Sequence, residues 1–125
     1  MICLFFGIAA ISASAQVPPD EDPVNISPQY YTVVFENDQV RVLEYRLRPG
    51  EKEPMHSHPA GVVRYLSDAT FLTTLPDGSV SEGSVQKGDV QWREFTIHAA
   101  ENIGTTEALA FAIELKNSPG QQATN

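Results

Sequence analysis

The chain has 125 residues and a formal net charge of −8. That length supports one domain, and the acidic balance excludes partners that need a basic patch, so no nucleic acid and no anionic membrane surface is expected. The one cysteine, Cys3, stands near the start, which leaves the rest of the chain without a thiol for a disulfide, a nucleophile or a lipid anchor.

Residues 1–15 carry no charged side chain, and an apolar run over 2–11 leads into Ser12-Ala13-Ser14-Ala15. Ala13 and Ala15 form the small-x-small pattern that a signal peptidase reads, which predicts cleavage before Gln16. The run is shorter than the roughly 20 apolar residues that cross a bilayer. The protein is therefore expected to be exported, periplasmic or secreted, with no membrane attachment after cleavage. Segment 16–29, rich in proline and holding Asp20, Glu21 and Asp22, is predicted to be an extended, solvated leader.

From Tyr30 the pattern changes to short β-type runs. Residues 31–35 form the first, and Asn37-Asp38 turns it into 40–47, where Val40 and Val42 alternate with Arg41. Arg48-Pro49-Gly50 breaks that run. Beyond the histidine segment, 62–66 and 70–75 are strands, and Pro76-Asp77-Gly78 turns into 79–82 and Val85. Lys87-Gly88-Asp89 is a second turn, followed by 90–92, then 97–102. The last run, 109–115, alternates Leu109, Phe111, Ile113 and Leu115, which favours a strand over a helix. Eight or so short strands without intervening helices predict an all-β domain over 30–116, either a sandwich or a closed barrel. The polar tail 117–125 is expected to fray.

The three histidines are the most informative feature. His56-Ser57-His58 places two imidazoles on one face of an extended segment, because side chains at i and i+2 point together. Two ring nitrogens so placed can reach one ion, and His98 follows at a distance suited to a neighbouring strand. Imidazole serves iron, zinc, copper and nickel alike, so spacing names no metal. Such pairs also occur on exposed strands, and spacing alone leaves that reading open.

Two motifs extend the argument. Gly50-Glu51-Lys52-Glu53-Pro54-Met55-His56-Ser57-His58 resembles the first cupin motif: a glycine, five residues, then two histidines around one residue. Gly88-Asp89-Val90-Gln91-Trp92 through His98-Ala99-Ala100-Glu101-Asn102 resembles the second, which ends in a histidine, three residues and an asparagine. The likeness covers about residues 34–116. HSHP, LPDG, KGDVQW, HAAENIG and IELK are similar to the small single-domain cupins linked with β-alanine degradation. The resemblance implies a cupin-type double-stranded β-helix, a jelly-roll barrel. It also implies that His56, His58 and His98 hold one divalent cation (Fe, Zn, Ni or Mn), and that the protein pairs as a homodimer.

The chain departs from the family pattern in two places. A glutamate four or five residues after the second histidine would be a fourth ligand, and Val62 and Val63 stand there instead. Glu94-Phe95-Thr96 replaces the usual Pro-x-Gly before the last histidine. Glu94 is either a substitute carboxylate or a solvated turn residue, and Trp92 and Phe95 are expected to pack inside the barrel. Asn102 is expected to be structural.

Three neutral imidazoles would leave a divalent ion its full charge, favouring anionic, chelating ligands. Cupins with three-histidine iron sites resembling this one serve as thiol and diketone dioxygenases. Arg64 would orient a substrate carboxylate if strand parity runs on unbroken from His58; a bulge at Pro59-Ala60-Gly61 would turn it outward. Three functions stay open: a metal-dependent dioxygenase or isomerase acting on a small polar or anionic metabolite, a non-catalytic small-molecule or metal-binding module, and a barrel that only mediates assembly.

Overall fold

The structure, a computed structural model, describes residues 17–18 and 20–116. The predicted signal segment at 1–15 and tail at 117–125 lie outside the described residues.

A one-turn helix, α1 (Pro23–Ile26), precedes nine strands: β1 (Tyr31–Glu36), β2 (Val40–Leu47), β3 (Lys52–His58), β4 (Gly61–Tyr65), β5 (Ala69–Thr74), β6 (Val80–Val85), β7 (Val90–Arg93), β8 (Thr96–Asn102) and β9 (Ala108–Leu115). They form two antiparallel sheets, ordered β1-β2-β9-β4-β7 and β3-β8-β5-β6. Strands that follow one another in sequence repeatedly change sheet, as in a jelly roll. The predicted strands are all present, to within a residue or two at their ends. The turns follow from their residues: Gly78 at φ +85° and Gly88 at φ +92° occupy the left-handed region that glycine enters without a Cβ penalty.

A buried cluster of Tyr31, Leu43, Tyr45, Leu47 and Val63 from the larger sheet meets Ala69 and Val85 from the smaller. The last strand contributes in an unexpected way. Its buried set is Ala108, Ala110, Ala112 and Glu114, while Leu109, Phe111, Ile113 and Leu115 lie half-buried on the other face. A wall of alanines leaves interior room for the Tyr31 and Tyr45 rings, whose centroids are 4.9 Å apart. On the outer face, Phe35, Val42, Ile113, Val62 and Trp92 are successive cross-strand partners, an apolar row that crosses all five strands.

Residues 20–29, expected as a solvated leader, pack on the barrel instead. The Asp22 carboxylate caps α1 by accepting the Val24 N–H at 3.0 Å, with Pro23 in the first turn. The same carboxylate pairs with Arg41 at 2.7 Å. Ser57 is held to this segment twice, its N–H donating to the Glu21 carbonyl at 2.9 Å and its hydroxyl to the Glu21 carboxylate at 3.1 Å. Glu21 and Asp22, which looked solvated, are thus partners of Ser57 and Arg41.

The connection from β3 to β4 decides what faces inward. The chain leaves one sheet at His58 and enters the other at Gly61, where an added Cβ would stand 2.0 Å from the Ile113 carbonyl oxygen. Crossing there resets the parity. Val63 becomes buried and Arg64 is exposed, so the alternative with Arg64 turned outward is the one realised, and its assignment to a substrate carboxylate is corrected. Asn102 is fully buried and structural. Its amide donates to the Leu47 and Thr106 carbonyls and its oxygen accepts the Gly104 N–H.

Candidate metal centre

His56 and His98 are direct cross-strand partners on β3 and β8, and His58 lies two residues further along β3. The three rings stand edge to face, with centroids 4.6 to 5.4 Å apart. One nitrogen from each lies within 4.8 Å of the others, so the group can hold a metal ion. His56 and His58 are almost wholly buried.

The tautomers follow from what each ring touches. His56 Nδ1 lies 2.7 Å from the Pro54 carbonyl, which can only accept, so Nδ1 carries the proton. His58 Nδ1 lies 2.8 Å from Glu114 Oε1 and is protonated for the same reason. Both Nε2 atoms of the neutral rings are therefore bare, yet they stand 2.8 Å apart. His98 Nε2 is buried with no hydrogen-bond partner among the described residues. Burial lowers the pKa of all three rings, that of His98 to about 3, and the nearby Arg93 guanidinium adds to the effect. Neutral rings with lone pairs turned toward one another repel unless a cation lies between them. This donor set fits a divalent metal.

The supports of these ligands come largely from the other sheet. Glu114 Oε2 accepts from Arg41 Nε at 2.9 Å, and Arg41 continues to Asp22. His58, Glu114, Arg41 and Asp22 form one chain that fixes the orientation of His58, as carboxylates commonly do behind metal-binding imidazoles. Tyr31 donates its hydroxyl proton to Glu53 Oε2 at 2.8 Å, and the Tyr31 hydroxyl oxygen lies 3.3 Å from His56 Nε2 and 3.5 Å from His58 Nε2. Glu53 is 4 % exposed and 4.0 Å from His56 Nε2. Burial raises its pKa to about 7, against the lowering effect of the Tyr31 hydrogen bond.

Glu53 and Arg93 escape sequence reasoning. In a regular strand Glu53 and His56 would face opposite sides, but the pairing slips between them, so that Glu53 meets Ala100 and His56 meets His98. Two residues, Pro54 and Met55, oppose Ala99 alone, a β-bulge that brings both side chains inward. Proline, which has no N–H to give a ladder, is the one sequence signal. On β7, Trp92 is 54 % exposed, contrary to the expected packing, and its indole N–H donates to Glu94 at 2.7 Å. Phe95 and Glu94 are also exposed, so Glu94 supplies no carboxylate here. Alternation then turns Arg93 inward, opposite Gly61.

A cavity of about 100 Å³ opens beside His98, between Glu53, Arg93, Tyr65 and the apolar surfaces of Val63, Phe71 and Ala112. Val63, where a fourth ligand is usual, is one of its walls.

Neither a family model nor a curated protein matches the chain. Solved structures do. A cupin domain from Bordetella pertussis Tohama I is 30 % identical over 69 % of this chain and 91 % of its own, with a TM-score of 0.63. A cupin-family protein of double-stranded β-helix fold from Methanocaldococcus jannaschii is 16 % identical over 70 % and 79 %, with a TM-score of 0.56. A Klebsiella pneumoniae protein with a double-stranded β-helix domain is 21 % identical over 94 % of both chains, with a TM-score of 0.54. With both histidine motifs on adjacent strands of a jelly roll and a relative at this level of identity, the chain belongs to the cupin family.

Proposed function

We propose that this cupin holds one divalent cation on His56, His58 and His98 and acts on a small polar or anionic metabolite, as a dioxygenase or isomerase. The observation that carries the reading is the convergence of three histidines, with the bare Nε2 atoms of His56 and His58 2.8 Å apart and His98 Nε2 buried without a hydrogen-bond partner among the described residues. A bound ion would supply Lewis-acid polarisation of a substrate oxygen. The chain's own part is to fix the rings through Pro54 and Glu114 and to exclude bulk water with the tyrosine and alanine walls. The Tyr31 hydroxyl and the Glu53 carboxyl stand beside the three rings, where a proton can be held or passed. The motif likeness to cupins linked with β-alanine degradation favours a short β-substituted acid as the metabolite.

Elemental analysis of natively purified protein tests the centre, with near-stoichiometric iron, zinc, nickel or manganese expected. A folded protein with no affinity for any of them overturns it. Oxygen uptake by the iron-loaded protein against thiol acids, diketones and β-amino acid derivatives then tests turnover; none with any substrate leaves a binding module. Export and pairing as a homodimer complete the reading. The apolar row from Phe35 to Trp92 supports pairing, and light scattering at twice the monomer mass checks it.

A further inference from the structure

The guanidinium of Arg93 sits in the cavity beside His98 with its side chain one-fifth exposed. Its Nε and Nη2 atoms are buried and have no hydrogen-bond partner among the described residues. Glu114 Oε1 pairs with Nη2 only at 3.9 Å and already accepts from His58, while Glu114 Oε2 is taken by Arg41. Glu53, on the same cavity wall, is engaged by Tyr31. Arg93 thus has acids near it, one at ion-pair distance, yet its buried N–H groups donate to none of them among the described residues. A buried guanidinium without an acceptor is strongly unfavourable, and its planar fork matches a carboxylate through two parallel hydrogen bonds.

We propose that Arg93 is a carboxylate-binding residue and that the ligand of this cavity is a short monocarboxylate carrying a second donor on its α or β carbon. The clause about the second donor rests on the metal reading given above; the carboxylate subsite does not. The size of the cavity agrees. The cavity is small, about 100 Å³, which suits a short acid rather than a large metabolite. Val63, Phe71 and Ala112 give its carbon skeleton an apolar wall.

The test compares acids with their neutral amides: 3-hydroxypropanoate with 3-hydroxypropanamide, and 3-mercaptopropanoate with its amide. Calorimetry on the full chain, metal-free and loaded with Co²⁺, reads affinity, and the visible spectrum of the cobalt protein reads ligation. Each acid is expected to bind at least ten-fold more tightly than its amide. Arg93→Gln should abolish that preference, Arg93→Lys should keep part of it, and both should leave cobalt stoichiometry unchanged. Equal binding of acid and amide by the unaltered chain overturns the proposal, as does a preference that survives in Arg93→Gln, or no binding of any acid to folded protein. A protein that takes up no cobalt but still prefers acids defeats the metal reading and leaves the Arg93 subsite standing.

Discussion

Replacing Glu114 with glutamine isolates the role of the carboxylate behind His58. Glu114 is 1 % exposed and accepts on both oxygens, from His58 Nδ1 at 2.8 Å and from Arg41 Nε at 2.9 Å. Glutamine keeps the shape but has one acceptor and one amide. If its oxygen stays with Arg41, its NH₂ faces His58 and forces Nδ1 to accept, which moves the ring proton to Nε2 and removes the lone pair facing the centre. If its oxygen stays with His58, its NH₂ confronts the Arg41 donors. Either way one charge-assisted hydrogen bond is lost, about 1.5–3 kcal/mol. Loss of such a carboxylate behind a metal-binding histidine lowers affinity roughly 10–100-fold. Zinc affinity by chelator competition at pH 7.5 should fall by that factor, and ¹⁵N-resolved histidine spectra of the metal-free protein should show His58 protonated at Nε2 in part or whole. Unchanged affinity with an unchanged tautomer would refute the chain of support from Asp22 to His58.

Three further outcomes follow from the structure. Gly61→Ala would place a Cβ 2.0 Å from the Ile113 carbonyl, forcing β4 away from β9. It should cost about 3 kcal/mol in urea unfolding, whereas Gly83→Ala, with open space around it, should change stability by less than about 1 kcal/mol; equal effects would contradict the packing. Asp22→Ala removes a helix cap and a largely buried ion pair and should cost about 2–4 kcal/mol. Asp22→Asn should recover only the cap, and if neither changes the unfolding midpoint, residues 20–29 are not part of the domain. For the metal-stripped protein, His98 has a pKa of about 3 when folded and the ordinary 6.5 when unfolded. Its share of stability is intact above pH 6.5 and is lost as the pH falls toward 3, because the unfolded chain takes up the proton first. His98→Gln should make the loss shallower by about 1.4 kcal/mol per pH unit in that window, and parallel profiles would show that the ring is not buried neutral.

The strands and the three histidines were legible because each depends on local pattern. Alternation around Val40 and Val42, the Pro76-Asp77-Gly78 turn and the His56–His58 spacing need only the pleat and the turn chemistry. What was not legible depends on breaks in that pattern. Glu53 reaches the interior through the Pro54–Met55 bulge, and Arg64 leaves it because the chain changes sheet at Gly61. Parity extrapolated across either point gives the wrong face. Trp92 and Arg93 show the same limit, since hydrophobicity argues for burying the indole while the register buries the guanidinium. Asp22 looked solvated because its partner, Arg41, comes from another strand.

These misreadings share a cause that bears on how the centre works. The histidines come from β3 and β8 of the smaller sheet, and Tyr31, Arg41, Arg93 and Glu114 come from β1, β2, β7 and β9 of the larger. The three histidines and the groups that orient them are thus set against each other across the barrel, and their distances are those of the packing between the sheets. Residues 108, 110 and 112 are alanines that keep the larger sheet's inner face shallow, and Val63 offers no ligand where one is usual. An acid from the substrate can occupy the room that these small or inert side chains leave. In the proposal Arg93 is its anchor, on the opposite sheet from the histidines. The valine at the place of a fourth ligand and the buried Arg93 N–H groups without a hydrogen-bond acceptor among the described residues lie on the same cavity, and the proposed carboxylate would answer both.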